Sequence, residues 1–220
     1  MDRLRCAMRK GLLITFEGID GAGKTTQLLR LAAWLEAQGL PVIVTREPGG
    51  TRIGDAVRAI LLDPRHQEMA PRTEALLYAA SRAQHVEELI RPALARGEIV
   101  LCDRFVDASI AYQGAGLGLG EAWVEALNEY ALGGLRPDLT LWFDLDWPTA
   151  RSRLRARAEG GGLDRIERRD EAFFERVADA FERLWRAAPE VRKRIDAARS
   201  PDDIEQEIRA LVWNLIQQHL

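Results

Sequence analysis

The residues best suited to do chemistry lie in one glycine-rich segment near the start of the chain. Residues 18–25 read GIDGAGKT, which matches the phosphate-loop pattern of glycine, any four residues, glycine, lysine and then serine or threonine. In such a loop the backbone N–H groups surround a phosphate, Lys24 reaches the terminal phosphates and the Thr25 hydroxyl binds Mg²⁺. The pattern predicts a nucleoside triphosphate site formed by Gly18, Ile19, Asp20, Gly21, Ala22, Gly23, Lys24, Thr25 and Thr26.

An acidic residue after a second apolar segment supports this prediction. Residues 99–102 read IVLC and are followed by Asp103 and Arg104. In phosphate-loop proteins, an acid at the end of a buried strand holds the water shell of the metal. We expect Asp103 to lie near Mg²⁺, and Arg104 to project from the same strand end towards a phosphate. The alternative is a strand-end acid that only caps a loop.

A third candidate is a run of arginines that begins at residue 151. Arg151, Arg153, Arg155 and Arg157 alternate with small or apolar residues, and the glycine-rich stretch 159–162 follows. On a helix, Arg151 and Arg155 share one face, where their charges repel unless an anion lies between them. The run is either an exposed basic helix paired with neighbouring acids or a lid that swings onto the nucleotide phosphates.

Regular secondary structure must position these segments. Short apolar runs predict strands at residues 12–16, 42–45, 99–102 and 139–143, and a fifth strand is predicted from a weaker signal at residues 192–195. Amphipathic stretches predict helices at residues 25–38, 53–62, 73–96 with a break near Pro92, 121–132, 149–157, 170–187 and 201–220. Strands that alternate with helices are typical of a parallel sheet covered on both faces. We expect one α/β domain over residues 1–220, with the phosphate-loop NTP-binding fold, a five-stranded parallel sheet flanked by helices, and a short arginine-rich lid at about residues 151–169.

Length and composition exclude several classes of protein. The chain has 220 residues, of which 47% are hydrophobic and 30% charged, so bulk disorder is excluded. Its 34 acidic and 31 basic residues give a net charge of −3, which disfavours a nucleic-acid partner. The apolar run at residues 12–16 is too short for a signal peptide or a membrane span, and Cys6 and Cys102 form no disulfide or zinc pattern. We expect a cytoplasmic protein with no membrane partner, whose polar residues 1–9 form a disordered extension.

Five segments, taken in order, carry a resemblance to a known family. They are FEGIDGAGKTTQ around the phosphate loop, REPGGT at residues 46–51, YAASR at residues 78–82, DRF at residues 103–105 followed by Ser109 and AYQG, and LDRIE at residues 163–167. Together they resemble thymidylate kinase, the bacterial dTMP kinase, from about residue 12 to the C-terminal helix. The resemblance implies transfer of the γ-phosphoryl group of ATP to dTMP, with Mg²⁺ as cofactor.

The resemblance also implies where the acceptor nucleotide binds. Tyr78 would stack on thymine, Arg82 would hydrogen-bond a carbonyl of the base, and Tyr112 would crowd the 2′ position of the sugar. Arg46 and Arg104 would hold the monophosphate. The substrate site implied in this way consists of Asp20, Arg46, Glu47, Pro48, Tyr78, Arg82, Arg104, Ser109, Tyr112 and Gln113. On the residues alone, Tyr78 and Tyr112 could also be ordinary core aromatics.

Members of this family differ in where the catalytic arginine lies. Ala22 occupies the phosphate-loop position where some members have an arginine, and this resembles the subgroup that carries the catalytic arginine in its lid. Arg157, Arg155 and Arg153 match the lid positions, in that order. The predicted catalytic residues are therefore Lys24, Asp20, Arg104, Arg157, Arg155 and Arg153.

The remaining predictions concern the metal, the adenine base and the partner subunit. Thr25, Asp103 and Glu167 are the predicted Mg²⁺ ligands. Ala197 and Arg199 lie in a stretch that resembles the family's loop near adenine. The resemblance also implies a homodimer.

Other functions stay open on the sequence alone. A phosphate loop and a lid do not name the acceptor, so a kinase for another nucleoside monophosphate or a deoxynucleoside is the main alternative. A GTPase switch would need an NKxD-like motif, whereas residues 128–130 read NEY. A non-catalytic nucleotide-binding module or a DNA-linked ATPase is the remaining class. Because an acceptor phosphate is already ionised at neutral pH, no catalytic histidine is required, and we expect His66, His85 and His219 at the surface.

Overall fold

Five parallel strands form the centre of the molecule. The computed structural model describes residues 10–158 and 164–219, and it leaves the side chains of residues 157 and 158 undescribed. The strands are β1 (Leu12–Glu17), β2 (Val42–Arg46), β3 (Ile99–Asp103), β4 (Leu139–Asp144) and β5 (Arg192–Asp196), in the order β2-β3-β1-β4-β5. Every neighbouring pair is parallel. The five-stranded α/β sheet expected from the apolar runs is confirmed.

Helices cover both faces of this sheet. They are α1 (Lys24–Ala37), α2 (Arg52–Leu62), α3 (Pro71–His85), α4 (Arg91–Ala95), α5 (Val106–Ser109), α6 (Glu121–Leu132), α7 (Trp147–Ala158), α8 (Glu171–Ala187) and α9 (Pro201–His219). A π-helical segment, Val86–Ile90, joins α3 to α4, and a second one, Ile110–Gly116, continues α5. Among the helices of the described residues, none combines the length and the apolar character that crossing a bilayer requires.

The alternation of side chains along β1 separates two hydrophobic cores. Leu12, Ile14 and Phe16 belong to the larger core, which also contains buried residues of α1, α8 and α9. Leu13 points to the opposite face and belongs to the smaller core, with residues of the first π segment and α4. Because both faces of β1 are covered, all six of its residues are buried and most of them are apolar, as is typical of a central parallel strand.

Two helical regions differ from the sequence expectation. The break expected near Pro92 lies earlier, in the π segment Val86–Ile90, and Pro92 then falls in the first turn of α4, where its missing N–H matters least. The sequence pattern predicts no helix or strand at residues 106–116, yet these residues form α5 and the second π segment. This stretch contains Gly114 and Gly116, which lower the intrinsic helix preference that sequence patterns measure.

The parallel order brings the candidate residues to one edge of the sheet. In the strand register, Phe16 of β1 and Arg46 of β2 are both partners of Asp103 of β3. The phosphate loop leaves the carboxyl end of β1, and Arg104 leaves the carboxyl end of β3. Ligands of open α/β sheets bind outside these carboxyl ends, so the topology predicts one site there. The expected extension at residues 1–9 and the glycine-rich stretch 159–162 lie outside the described residues.

Candidate active site

The phosphate loop has a backbone that only glycines can form. Gly18, Gly21 and Gly23 have φ values of 127°, 85° and 89°, in the left-handed region. A Cβ atom at Gly18 would lie 2.5 Å from the Phe143 carbonyl oxygen, and one at Gly21 would lie 2.7 Å from the Ala150 carbonyl oxygen. The loop therefore packs closely against its neighbours and delivers the chain into α1 with its N–H groups facing one point.

Lys24 is buried at the start of α1. Its Nζ donates a hydrogen bond to the carbonyl oxygen of Ile19, at 2.8 Å, within the same loop. Burial, and then the positive charge of Arg104, lower the pKa of Lys24 to about 8. An anion bound in the loop would favour the charged form, because it supplies the opposite charge that the buried ammonium lacks.

Two hard oxygen donors lie beside this lysine. The Thr25 hydroxyl donates to Asp103 Oδ2 at 2.5 Å, so the two predicted metal ligands are in contact. Glu167, the third, lines the same cleft, and its Oε2 accepts a hydrogen bond from the Asp164 N–H. Over residues 10–158 and 164–219, no three His, Cys, Asp or Glu side chains form a group that could hold a metal. Hydroxyl and carboxylate oxygens suit Mg²⁺, which is usually bound through few protein ligands together with phosphates and water.

A cleft of about 840 Å³ opens in front of the loop. Its walls include Arg46, Arg153, Ala197 and Arg199. The Arg153 guanidinium lies 3.3 Å from the carbonyl oxygen of Gly21 and 3.4 Å from that of Ala197. One predicted lid arginine and both predicted adenine-loop residues are thus brought to the phosphate loop.

A second lid arginine, Arg155, is not brought there. Arg155 lines a separate cavity together with Arg151, Arg168 and Arg169. Residues two apart on a helix point about 200° away from each other, so Arg153 and Arg155 on α7 cannot both face the loop. The side chain of Arg157 lies outside the description.

A second, smaller pocket of about 70 Å³ adjoins the cleft. Among the predicted acceptor residues, Pro48, Tyr78, Arg82, Ser109, Tyr112 and Gln113 line it. The cleft and the pocket share Asp20, Glu47, Arg58, Arg104 and Asp164 in their walls. Burial raises the pKa of both Tyr78 and Tyr112, so their hydroxyls stay protonated.

Arg104 stands at the junction of the two cavities. Its guanidinium donates to the carbonyl oxygen of Gly18 at 2.9 Å and pairs with the Asp20 carboxylate at 2.9 Å. It also lies over the Tyr112 ring, 4.9 Å from the centroid, and donates to the Tyr112 hydroxyl. Arg104 therefore contacts the phosphate loop on one side and the acceptor pocket on the other.

Arg82 is 1% exposed and holds a buried polar network. Its Nε donates to Glu47 at 2.7 Å, its NH1 group donates to Ser109 and Asn128, and its NH2 group donates to the carbonyl oxygen of Phe105 at 2.9 Å. Glu47, a predicted substrate residue, is thereby committed to Arg82. The network fixes the guanidinium plane at the floor of the pocket.

The expectation that His85 lies at the surface is wrong. His85 is fully buried, with Nδ1 3.0 Å from Glu47 Oε1 and Nε2 2.7 Å from the Thr45 hydroxyl. A carboxylate only accepts, so Nδ1 of the imidazole donates to Glu47 and, in the neutral ring, Nε2 accepts from Thr45. The signal was the spacing, because His85 lies three residues after Arg82 and so shares its helix face.

Two further residues of the site were missed in the sequence. Arg58 on α2 lines both cavities, donates to the carbonyl oxygen of Pro48 at 3.0 Å, and has its pKa lowered by burial and by the charge of Arg46. Glu74 is fully buried and accepts hydrogen bonds from Gln113, Arg165 and Arg169. No motif marks either residue, since both become part of the site only when α2 and α3 pack at the end of the sheet.

Comparisons with known proteins agree with this geometry. A family model described as thymidylate kinase matches residues 16–208. A thymidylate kinase of Exiguobacterium is 53% identical over 94% of this chain and 97% of its own length, and one of Pseudomonas putida is 48% identical over 94% and 98%. The crystal structure of thymidylate kinase from Ehrlichia chaffeensis superposes with a TM-score of 0.74 at 33% identity, over 92% of this chain and 98% of that one.

Proposed function

Because the chain belongs to the thymidylate kinase family, we propose that it transfers the γ-phosphoryl group of ATP to dTMP, giving dTDP and ADP for dTTP synthesis. The observation that carries the proposal is the position of Arg104, between a phosphate loop and a second pocket lined by aromatic and guanidinium groups. Two adjoining cavities with Arg104 between them suit a reaction in which two nucleotides meet at their phosphates.

The acceptor must extend across both cavities. A pocket of about 70 Å³ cannot enclose a whole nucleotide, so the phosphate of dTMP extends into the cleft. There it meets Arg46, Arg58 and Arg104, which line the cleft beside the loop. Guanidinium groups bind phosphate through paired N–H donors, and three of them would neutralise its charge.

The base and sugar of dTMP then face the smaller pocket. Tyr78 offers a ring for stacking on thymine, and Tyr112 lies beside the sugar. Within the described residues, Arg82 directs four of its five N–H groups to protein acceptors, which leaves one for a carbonyl of the base. Ser109 and Gln113 complete the polar part of this wall.

The chemistry needs positioning and charge neutralisation more than a base. The attacking phosphate oxygen is already ionised at neutral pH, so Lys24, Arg104 and Arg153 act by holding the reacting phosphates in line and balancing their charge. Asp20 pairs with Arg104 and keeps that guanidinium between the two substrates. Mg²⁺, when bound, neutralises charge on the donor phosphates, and Thr25, Asp103 and Glu167 are the residues that would hold it.

We propose that the chain is one kinase domain whose lid spans about residues 151–169. The segment that begins at residue 164 is anchored, because Arg165 donates to Glu74 at 2.7 Å and to the Leu61 carbonyl oxygen at 2.7 Å. A lid held against the acceptor pocket would exclude water, which otherwise competes with dTMP for the phosphoryl group.

The homodimer implied by the family stays a proposal, supported by one exposed apolar face. Ile53 and Ile60 of α2 and Leu76 of α3 are about half exposed, and α2 packs on α3. Light scattering coupled to size exclusion, on the wild type and on an Ile60→Glu variant, tests whether this face joins two copies. The cytoplasmic location expected from the sequence also stays a prediction.

The test of the function is Mg·ATP-dependent phosphorylation with dTMP, dUMP, UMP, CMP, AMP and dGMP offered separately, read as diphosphate formed. We expect a strong preference for dTMP. If another nucleotide is preferred, the proposed ATP phosphate site is retained, but the residues assigned to the dTMP site are assigned wrongly. ATP loss without diphosphate, stimulated by DNA, would support the DNA-linked ATPase instead.

A further inference from the structure

Glu17 is a buried carboxyl group that the proposed reaction does not use. It is the last residue of β1, directly before the phosphate loop, and it is 1% exposed. Its Oε1 accepts a hydrogen bond from the backbone N–H of Phe105 at 2.8 Å. Its Oε2 is buried and has no hydrogen-bond partner in the part of the chain that the structure describes. A buried carboxyl group is costly, so its presence at this position calls for a role.

The end of β1 holds the turn that follows β3 at three successive residues. The Phe16 carbonyl oxygen accepts from the Arg104 N–H at 2.9 Å, and the Gly18 carbonyl oxygen accepts from the Arg104 guanidinium at 2.9 Å. Glu17, between them, accepts from the next N–H along the turn, that of Phe105. The backbone of Arg104 has φ = 68°, which is unfavourable for a residue with a side chain. Such a conformation persists only where surrounding contacts hold it.

Glu17 also lies at the start of the helix that carries much of the acceptor pocket. Phe105 is the N-cap residue of α5 and has no side-chain cap of its own. Through the hydrogen bond that it accepts from the Phe105 N–H, the Glu17 carboxyl holds the N-cap residue of that helix from another strand. Ser109, Tyr112 and Gln113 follow on the same helical stretch.

We propose that Glu17 is a positioning residue that couples the donor loop to the acceptor pocket, by fixing the Arg104–Phe105 turn and the start of the helix behind it. Glu17 acts through Arg104 and touches neither nucleotide. The inference rests on the proposed function, in which Arg104 holds the acceptor phosphate.

The protonation state of Glu17 suggests matched variants. Burial, and then the negative charge of Asp107, raise the pKa of Glu17 to about 8, so the carboxyl group is neutral at pH 7. Glutamine has the same shape and keeps a carbonyl oxygen for the Phe105 N–H, whereas leucine has a similar size and no acceptor. Thr15→Val is the control, because it removes another buried polar group from the same strand. Thr15 is 1% exposed, and its hydroxyl hydrogen-bonds the Thr140 hydroxyl across the sheet at 2.9 Å.

Equilibrium binding of dTMP and of ATP, measured separately with kcat, tests the proposal. We expect Glu17→Leu to raise the Kd for dTMP at least tenfold and to change the Kd for ATP less than twofold. Glu17→Gln should stay within about threefold of wild type for both, and Thr15→Val should leave both unchanged. Equal weakening of dTMP and ATP by Glu17→Leu, or no change in either, would overturn the proposal. Should Glu17→Leu not fold, Glu17→Asp, whose carboxyl group is drawn back by one methylene, takes its place with the same split expected.

A double-mutant cycle with Arg104→Ala shows whether Glu17 acts through Arg104. In the Arg104→Ala background, Glu17→Leu should weaken dTMP binding by a smaller factor than it does in the wild type, since the Arg104 contact is already gone and only the start of the helical stretch is still affected. The same loss in both backgrounds would refute the coupling. If Arg104→Ala by itself leaves dTMP binding unchanged, the acceptor assignment of the proposed function fails instead, so the two failures are distinguishable.

Discussion

The phosphate loop and the acceptor pocket are built in opposite ways. The loop is one contiguous stretch whose glycines and backbone N–H groups surround an anion, with Lys24 as its single buried cation. The pocket is formed by side chains from the loop after β2, from α2, α3 and the turn after β3, from α5 and the second π segment, and from the segment after α7. A phosphate is common to all nucleotides and can be bound by backbone, whereas recognition of one base needs side chains that the fold brings together.

Their charges are also handled differently. Arg82 in the pocket directs four of its five N–H groups to protein acceptors, and Glu47 and Glu74 are each bound by two or more partners. Lys24 in the loop has a carbonyl partner but forms no ion pair within the described residues, and burial lowers its pKa. The charged groups of the pocket therefore stabilise the fold in the absence of substrate. The positive charge of Lys24 in the loop is instead neutralised when a phosphate binds.

Removing Arg82 is the most direct test of whether the pocket network stabilises the fold. Arg82→Met leaves the buried Glu47 carboxylate without its guanidinium, so we expect the free energy of unfolding to fall by about 3–5 kcal/mol. Urea unfolding measures it. Arg65→Met is the control, since Arg65 is 87% exposed and solvent screens its pair with Asp63, so little change in stability is expected. Equal effects of the two variants would contradict the structural role of the network.

Removing Lys24 should lower activity without lowering stability. Lys24→Met is expected to lower kcat about 10²–10³-fold, because the donor phosphates lose a preorganised charge. Its free energy of unfolding should be unchanged or higher, since a buried ammonium without an ion pair is removed. Single-turnover kinetics and urea unfolding give the two numbers, with Lys193→Met as the matched lysine control. A loss of stability as large as that of Arg82→Met would erase the contrast between loop and pocket.

Arg104 belongs to both regions, and its removal measures how far they are separate. We expect Arg104→Ala to weaken dTMP binding about 10²-fold and to slow the reaction, with the ATP Kd nearly unchanged, because Arg104 meets the acceptor phosphate. Calorimetric titration with each nucleotide, with exposed Arg136→Ala as control, checks this. Equal loss of both affinities would show that the assignment is wrong.

The smallest expected effect is a pH dependence confined to the loop. With its pKa lowered to about 8, Lys24 is charged below that pH and neutral above it. ATP binding favours the charged form, so the ATP Kd should rise roughly fivefold between pH 8 and pH 9, with proton uptake on binding. Titration calorimetry in buffers of different ionisation enthalpy detects the proton. Lys24→Met should lack this dependence; if it retains it, another group is responsible.

The loop, the sheet and the family could be read from the sequence because each depends on neighbours along the chain. The spacing of Gly18, Gly23, Lys24 and Thr25 carries the phosphate site in eight consecutive residues. Apolar runs predicted the central strands β1, β3 and β4, because a parallel strand covered on both faces is largely apolar on both, whereas the edge strand β5 reads RKRID and carried a weaker signal. The sequence pattern does not predict the helical structure of residues 106–116, because the glycines in this stretch lower its intrinsic helix preference. Tertiary contacts override that preference in the folded protein.

What the tertiary structure alone decided is which side chains meet. It separated Arg153 from Arg155, because helix geometry turns them to different sides. It buried His85 against Glu47, brought Arg58 to the junction of the cavities, and set Glu17 beneath the Arg104 turn. These contacts join residues tens of positions apart, and their energy depends on burial and on the orientation of each partner. Neither quantity exists until the sheet and its helices have packed, which is why a motif determines the loop and only the fold determines the pocket.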